Sequence, residues 1–368
     1  MTSNPISCTV NCSAGGKLSS AIALKPRTTS SLTITVNGTC VESNDHVPGG
    51  ITIQGASSSA TLQAPSKTTD PVLGIGGGGV TLSKLTISGG LNGLRVRSTA
   101  GVTGNNLVIE KASNADVLIT HGSLTLNAST IENSTGNGID VDWGGVLFIN
   151  GGTVQQNRGW GVSAFANGSI DLFGNVVVQK NTLGGGIADH GGSIGLFGGT
   201  VRNNTGPGLE AANSANLRID GSTAAVSVTN NGSNGVVAFQ SEAFIGNGAN
   251  IAGNSGNGIF IYDGGTGVLF GGGIVQSNAG DGIHVESGNI QVGGGTAGGA
   301  TVKSNGGNGI YLQTNSVGSF ASSSNRIVSN KGFGIFCANP PGDPLITGVV
   351  GTVSGNAKGQ NNCKVAGN

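Results

Sequence analysis

Charge, aromatic rings and long apolar runs are all scarce in this 368-residue chain. Only 9% of residues are charged, and 17 Lys plus Arg balance 17 Asp plus Glu. A net charge of zero leaves no basic field for nucleic acid or for an anionic membrane surface. No apolar run approaches the roughly 18–20 residues that a membrane span requires. Cysteine is missing between residues 41 and 336, and no CxxC pair occurs, so the common zinc and redox spacings are excluded. No export signal is readable. Met1 stands directly before a polar stretch, and the expectation is an exported protein, secreted or at the cell surface, whose signal has been removed.

What the chain has instead is glycine, 71 residues against 9 prolines. Aperiodic glycine at this level borders on disorder, but here it is periodic. VQQNRGWGVSA at 154–164 returns as VRNNTGPGLEA at 201–211, IAGNSGNGIFI at 251–261, IVQSNAGDGIH at 274–284 and VKSNGGNGIYL at 302–312. Each copy is an apolar stub, an Asn, a Gly-x-Gly corner and an apolar residue that opens a new strand. From Gly93 to Gly334 the corners recur every 22 to 27 residues. A period in the low twenties built from short strands means stacked coils.

Within residues 138–157 three strands are readable, IDVD, VLFI and TVQ. Three strands per turn without helices predict an all-β, single-domain, right-handed parallel β-helix of about 12–13 coils, each strand pairing with its counterpart ~4.8 Å along the stack. The expected parts are a lead-in and capping helix over 1–30, the β-helix over 31–337 and a C-terminal cap over 338–368. Leu18, Ala21, Ile22 and Leu24 follow helical spacing, and Pro26 closes that run. Pro340, Pro341 and Pro344 mark the loss of period in the cap. Asn157, Asn204, Asn231, Asn254, Asn278, Asn305 and Asn330 are expected to stack as a ladder of side-chain amides. Cys8, Cys12, Cys40, Cys337 and Cys363 crowd the two ends. Pairing of Cys12 with Cys40 and of Cys337 with Cys363 is favoured, leaving Cys8 over; free thiols in a cytosolic protein are the alternative.

The opening VNCSAGGKLSSAIAL, ITVNGTC and ITIQGA, followed by coils of the form N-x-G-x-G-I, resembles exported bacterial right-handed β-helix repeat proteins of the pectate-lyase-like superfamily. The resemblance covers nearly the whole chain. It implies polysaccharide lyases, glycoside hydrolases, epimerases, phage tailspikes or adhesins, with a site on an outward sheet face. The DPHD signature of alginate epimerases, the arginine-rich motifs of pectate lyases and the linked motif set of polygalacturonases are absent.

Strand alternation supplies the candidate residues. After each corner the first residue points in, so the second and fourth point out. Stacked turn by turn, these outward rows contain Arg95, Arg97, Asp140, Asp142, Phe165, His190, Glu210, Phe239, Tyr262, His284, Glu286 and Tyr311, with Trp143 and Asp189 at the corners beside them. Aromatic rings mixed with carboxylates suit a glycan. Asp140 and Asp142 lie two apart on one face, ~6.5–7 Å between Cα atoms, and could share acid and base roles in glycoside cleavage, with Asp189 and His190 beside them. Arg95 and Arg97 suit a uronate carboxylate. His284, Glu286, Tyr262 and Tyr311 form a second cluster with an acid–base pair of the kind lyases use. No cofactor or metal is expected beyond a weak Ca²⁺ site at the two aspartates. The partner is a polysaccharide. The competing reading is a structural or adhesive surface rod without catalysis, its aromatic face covered by a partner.

Overall fold

The computed structural model describes residues 6–25, 31–295, 298–338 and 344–363. Two compact units, Met1–Val177 and Val178–Asn368, divide the chain. Both are built from the same repeating turn.

In the first unit the strand Asn137–Asp142 is followed by Val146–Gln155, which bends at Gly151 and Gly152 (φ +70° and +96°) to serve two sheets in succession. The next turn repeats this as Trp160–Phe165, Ser169–Phe173 and Val177–Gln179. Pairing is parallel and in register, Ile139 with Val162 and Leu147 with Ile170. The strands that follow the Gly-x-Gly corner form the first sheet, and the other two sets form the second and third. Ile139, Val141, Val162 and Ala164 point inward and are fully buried. A buried Val or Ile contributes roughly 1.5–3 kcal/mol.

Second-sheet strands give eight turns in the first unit, from Ile6–Asn11 to Ser169–Phe173. They give seven in the second, from Ser193–Leu196 to Leu345–Val349. This exceeds the expected 12–13. The extra turns lie where the repeated phrase is missing. Ile6–Asn11, within the polar lead-in, pairs with Leu32–Asn37. Near the other end, Leu345–Val349, Thr352–Ser354 and Gly359–Asn361 pair with the preceding turn.

The expected helix forms over Leu18–Ile22 with Leu18, Ala21 and Ile22 buried. Glu42 accepts the Leu18 and Ser19 N–H groups (Ser19, 3.1 Å), which satisfies the helix N-terminus. Pro26, Pro340 and Pro341 lie outside the described residues. Cys12 bonds Cys40 and Cys337 bonds Cys363, and Cys8 is free and half-buried.

The asparagine ladder runs through the second unit from Asn181 to Asn356. Each Nδ2 donates to the Oδ1 one turn on, as in Asn254 to Asn278 at 2.9 Å and Asn278 to Asn305 at 3.0 Å. Each Oδ1 also accepts a backbone N–H, as Asn278 does from Asn254 at 3.0 Å. In the first unit Asn157 accepts from the Ser134 N–H at 3.0 Å. The residue before each ladder Asn takes the left-handed conformation, for example Asn230, Ser277 and Ser304. The corner glycines have a different reason. A Cβ on Gly258 would strike the Gly282 carbonyl and the Asn278 amide.

Candidate functional site

The outward rows of the first sheet follow from this register. In the first unit Arg95 pairs with Leu118 and Leu118 with Asp140; Arg97 pairs with Thr120 and Thr120 with Asp142. Asp142 in turn faces Phe165. The arginines therefore stand two strands, about 10 Å, from the aspartates on the same face.

Asp140 is half-buried and accepts a 2.6 Å hydrogen bond from Asn137 Nδ2. Burial pushes its carboxyl up to about 6. The Asn137 and Ser163 hydrogen bonds pull it back, and the charge of Asp142 raises it further. Burial also raises Asp142 above the ordinary carboxylate range. Trp143 follows in a left-handed turn (φ +53°), 57% exposed, with Phe165 edge-on at 6.4 Å. Two carboxyls, both raised by burial, and an exposed indole thus share one patch. Among the described residues no group of three His, Cys, Asp or Glu side chains gathers to hold a metal, and the two aspartates bring only each other.

In the second unit one part of the expected rows is displaced. Gly186 takes the inward position opposite Leu209, so Ile187 and Asp189 point outward and Ala188 is buried. His190 lies in the left-handed turn after the strand (φ +49°) rather than in the outward row. The cause is the run Gly184–Gly185–Gly186. Gly185, not Gly186, holds the tight corner, since its Cβ would meet the Val201 side chain, the Gly208 carbonyl and the Asn204 amide, the surroundings that Gly208 has one turn later. Asp189 and His190 still meet, Nδ1 to Oδ1 at 2.9 Å, and Asn213 donates to the same carboxylate oxygen at 2.8 Å.

Further along this unit the rings form a column. Phe239 stacks on Tyr262 and Tyr262 on Phe260, each at 4.8 Å; Phe260 meets His284 edge-on at 5.3 Å, and His284 meets Tyr311 at 4.5 Å. Tyr311 continues to Phe336 at 5.3 Å. Most ring faces in the column are therefore spent on other rings. Glu210 is raised by burial and by the charge of Asp189, and Tyr262 by burial and the charges of Glu210 and Asp263. Tyr262, Asp263, Glu286 and Ser287 line a small cleft of about 180 Å³.

Sequence reasoning missed two partners here. Asp281, the middle residue of its Gly-x-Gly corner, accepts from His284 Nδ1 at 3.0 Å. Asn137 holds Asp140 in the same way. Both stand three residues before the side chain they orient, and that spacing was the available signal. His284 Nε2 is buried without a hydrogen-bond partner.

Residues 71–224 match the family model described as the right handed beta helix region. No curated protein matches the sequence. Among solved structures, the chain is similar to the A-module of a mannuronan C-5 epimerase from Azotobacter vinelandii at 13% identity and a TM-score of 0.44, covering 98% of this chain and 100% of that one. It is similar to a pectate lyase at 14% identity and a TM-score of 0.40, covering 82% and 80%. It is also similar to the catalytic domain of a GH87 alpha-1,3-glucanase at 15% identity and a TM-score of 0.39, covering 91% and 66%. No described helix is long and apolar enough to cross a membrane. Family model and stacked parallel sheets together identify the fold as a right-handed parallel β-helix.

Proposed function

We propose that the chain is an exported glycan-cleaving protein whose first unit holds the sugar on Trp143 and Phe165 and breaks the glycosidic bond with Asp140 and Asp142. The observation that carries this reading is the raised pKa of Asp140, about 6, on a half-buried carboxyl beside a second carboxyl and an exposed indole. A carboxyl tuned upward by burial holds its proton up to about pH 6 and can donate it to a leaving oxygen below that pH; its partner, when ionised, can stabilise positive charge on the sugar or activate water. Trp143 offers an apolar face to sugar C–H bonds. Arg97, two strands away on the same face, is placed for a more distant unit of the chain, and Arg95 beside it.

A second reading, an adhesive or structural protein, draws on the column of the second unit. Rings that bury their faces against one another stiffen a sheet and leave little flat surface for a sugar.

The test is a panel of pectate, alginate, glycosaminoglycans and neutral glucans, followed for reducing ends and unsaturated products. Wild type is compared with Asp140→Asn, Asp142→Asn and Trp143→Ala. Loss of a general acid lowers the rate by roughly 10²–10⁴-fold, so Asp140→Asn is expected to be nearly inactive, and Trp143→Ala to raise KM more than it lowers kcat. Cleavage retained in Asp140→Asn would overturn the assignment. Binding without cleavage in wild type would favour the adhesive reading.

A further inference from the structure

The first unit carries two cavities that belong to neither the first sheet nor its corners. One, about 350 Å³, is bounded by Gly55, Ser57, Ser58, Lys84, Thr86 and Asn106. The other, about 480 Å³, is bounded by Gln63, Lys67, Thr68, Ser88, Lys111 and Ser113. Both volumes fall within the ~300–1,000 Å³ typical of ligand sites; the cleft at Tyr262 does not.

The two cavities flank the same three strands of the third sheet. Thr61 pairs with Thr86 and Thr86 with Val108; Gln63 pairs with Ser88 and Ser88 with Glu110. Between the cavities Thr61, Thr86 and Ser88 supply hydroxyls and Gln63 an amide, beside Val108 and Glu110, and Thr86 and Ser88, which border one cavity each, lie about 6.5–7 Å apart along the strand. A lysine stands at one end and two at the other. Lys111 is ion-paired with Glu110 at 2.6 Å, and Glu110 also accepts from Ser88 Oγ at 3.1 Å. Lys67 and Lys84, both exposed and both in left-handed corners, make no ion pair with another described side chain.

We propose that this trough is a second binding site, separate from the aspartate patch, and that it takes an anionic oligosaccharide bearing carboxylate or sulfate groups. The hydroxyl and amide floor matches a ligand rich in hydroxyls, and the unpaired ammonium groups at its two ends match anionic substituents. A nucleic acid fits less well, because neither cavity offers an aromatic ring for a base to stack on. An extended peptide adding as a strand has no free edge here, since the middle strand is paired on both sides.

The experiment measures binding of three size-matched probes by calorimetry: a galacturonate hexamer, a sulfated heparin-derived hexasaccharide and a neutral maltohexaose. Wild type is compared with Lys67→Ala/Lys84→Ala, Lys67→Arg/Lys84→Arg and Asp140→Asn. Both lysines are exposed, so the fold survives their replacement, and circular dichroism checks this. At least one anionic probe is expected to bind, more weakly at higher salt. The alanine pair is expected to weaken it about tenfold, while the arginine pair and Asp140→Asn retain it. The galacturonate and sulfate arms decide which anion is preferred. Equal binding in the alanine pair, no anionic probe bound, or maltohexaose bound as tightly would overturn the proposal. Loss of binding in Asp140→Asn would place the ligand at the aspartate patch instead.

Discussion

Asp116 is a fully buried carboxyl standing where neighbouring turns carry Gly93 and Gly138. Its Oδ1 accepts the Ala112 N–H at 2.9 Å. That N–H occupies the place at which, one turn on, Ser134 bonds the Asn157 amide oxygen at 3.0 Å. Ser134 is too short to supply such an oxygen to Ala112, so Asp116 supplies it from within its own turn. Its Oδ2 has no partner. Burial raises this carboxyl from 3.8 to about 8, the Ala112 hydrogen bond opposes the rise, and the charges of Glu110 and Glu132 add to it.

The sign of the pH effect follows. Between about pH 4 and pH 8 the native state keeps a proton that the unfolded chain has lost, so stability falls as pH rises. One pH unit is worth about 1.36 kcal/mol, so the loss from this group reaches roughly 4 kcal/mol between pH 4 and pH 7. Asp116→Asn keeps the acceptor for Ala112 and cannot ionise. Urea unfolding of wild type and variant at pH 5, 7 and 8.5 is expected to show a stability advantage for the variant that grows with pH by several kcal/mol. Parallel pH dependences, or a variant no more stable than wild type at pH 8.5, would refute the reasoning, because the carboxyl would then be charged and accommodated.

Three further outcomes are expected. In Asp142→Asn, removal of the neighbouring charge lowers the Asp140 titration midpoint from about 6, read by carboxyl NMR; in the wild type, cleavage that needs protonated Asp140 declines as pH rises through that value. Asn278→Ala removes the donor to Asn305 and Ile251 and the acceptor for Asn254; with about 1–3 kcal/mol for each buried group left unpaired, thermal or urea unfolding is expected to register a loss of at least ~3 kcal/mol. Asp281→Asn removes the acceptor that fixes His284 as the Nδ1–H tautomer, and ¹⁵N NMR of the neutral ring is expected to show a larger Nε2–H population than in wild type.

Period, sheet alternation and ladder were legible because each turn repeats the same local demands. Asn181 and Asn356 escaped because the Gly-x-Gly phrase around them is altered, although both are buried in the same ladder. The slip at Ile187–His190 came from three consecutive glycines, any of which satisfies a tight corner on paper; only contact with the following turn selects Gly185. The outward positions of Asp140, Asp142 and Phe165 were readable from alternation, and Trp143 from the corner beside them. The acidity of Asp140 was not, because it is set first by burial in the stack and then by opposing hydrogen bonds from Asn137 and Ser163, which reach it from a corner and from the next turn. The trough of Lys67, Lys84 and Lys111 was equally hidden, as its members sit on corners of different turns and share no motif.

The corner residues connect ladder to chemistry. In the second unit the Asn257 N–H donates to Asn234 Oδ1 at 2.8 Å, the Asp281 N–H to Asn257 Oδ1 at 2.8 Å, and the Asn308 N–H to Asp281 Oδ1. This outer ladder asks each side chain only for one acceptor oxygen, which Asn and Asp provide equally. Asn308 spends its amide on Asp281, whereas at Asn137 and Asp281 the remaining atom reaches the first outward residue of the same strand. Where that residue is an acid, Asp140, the corner is Asn137 and its spare atom is a donor. Where it is a histidine, His284, the corner is Asp281 and its spare atom is an acceptor. The backbone requirement is thus met identically in both places, while the choice between amide and carboxylate matches the side chain being held. A solenoid that must repeat its backbone contacts at every turn can still orient a single functional group, provided the orienting residue does so with an atom the ladder does not use.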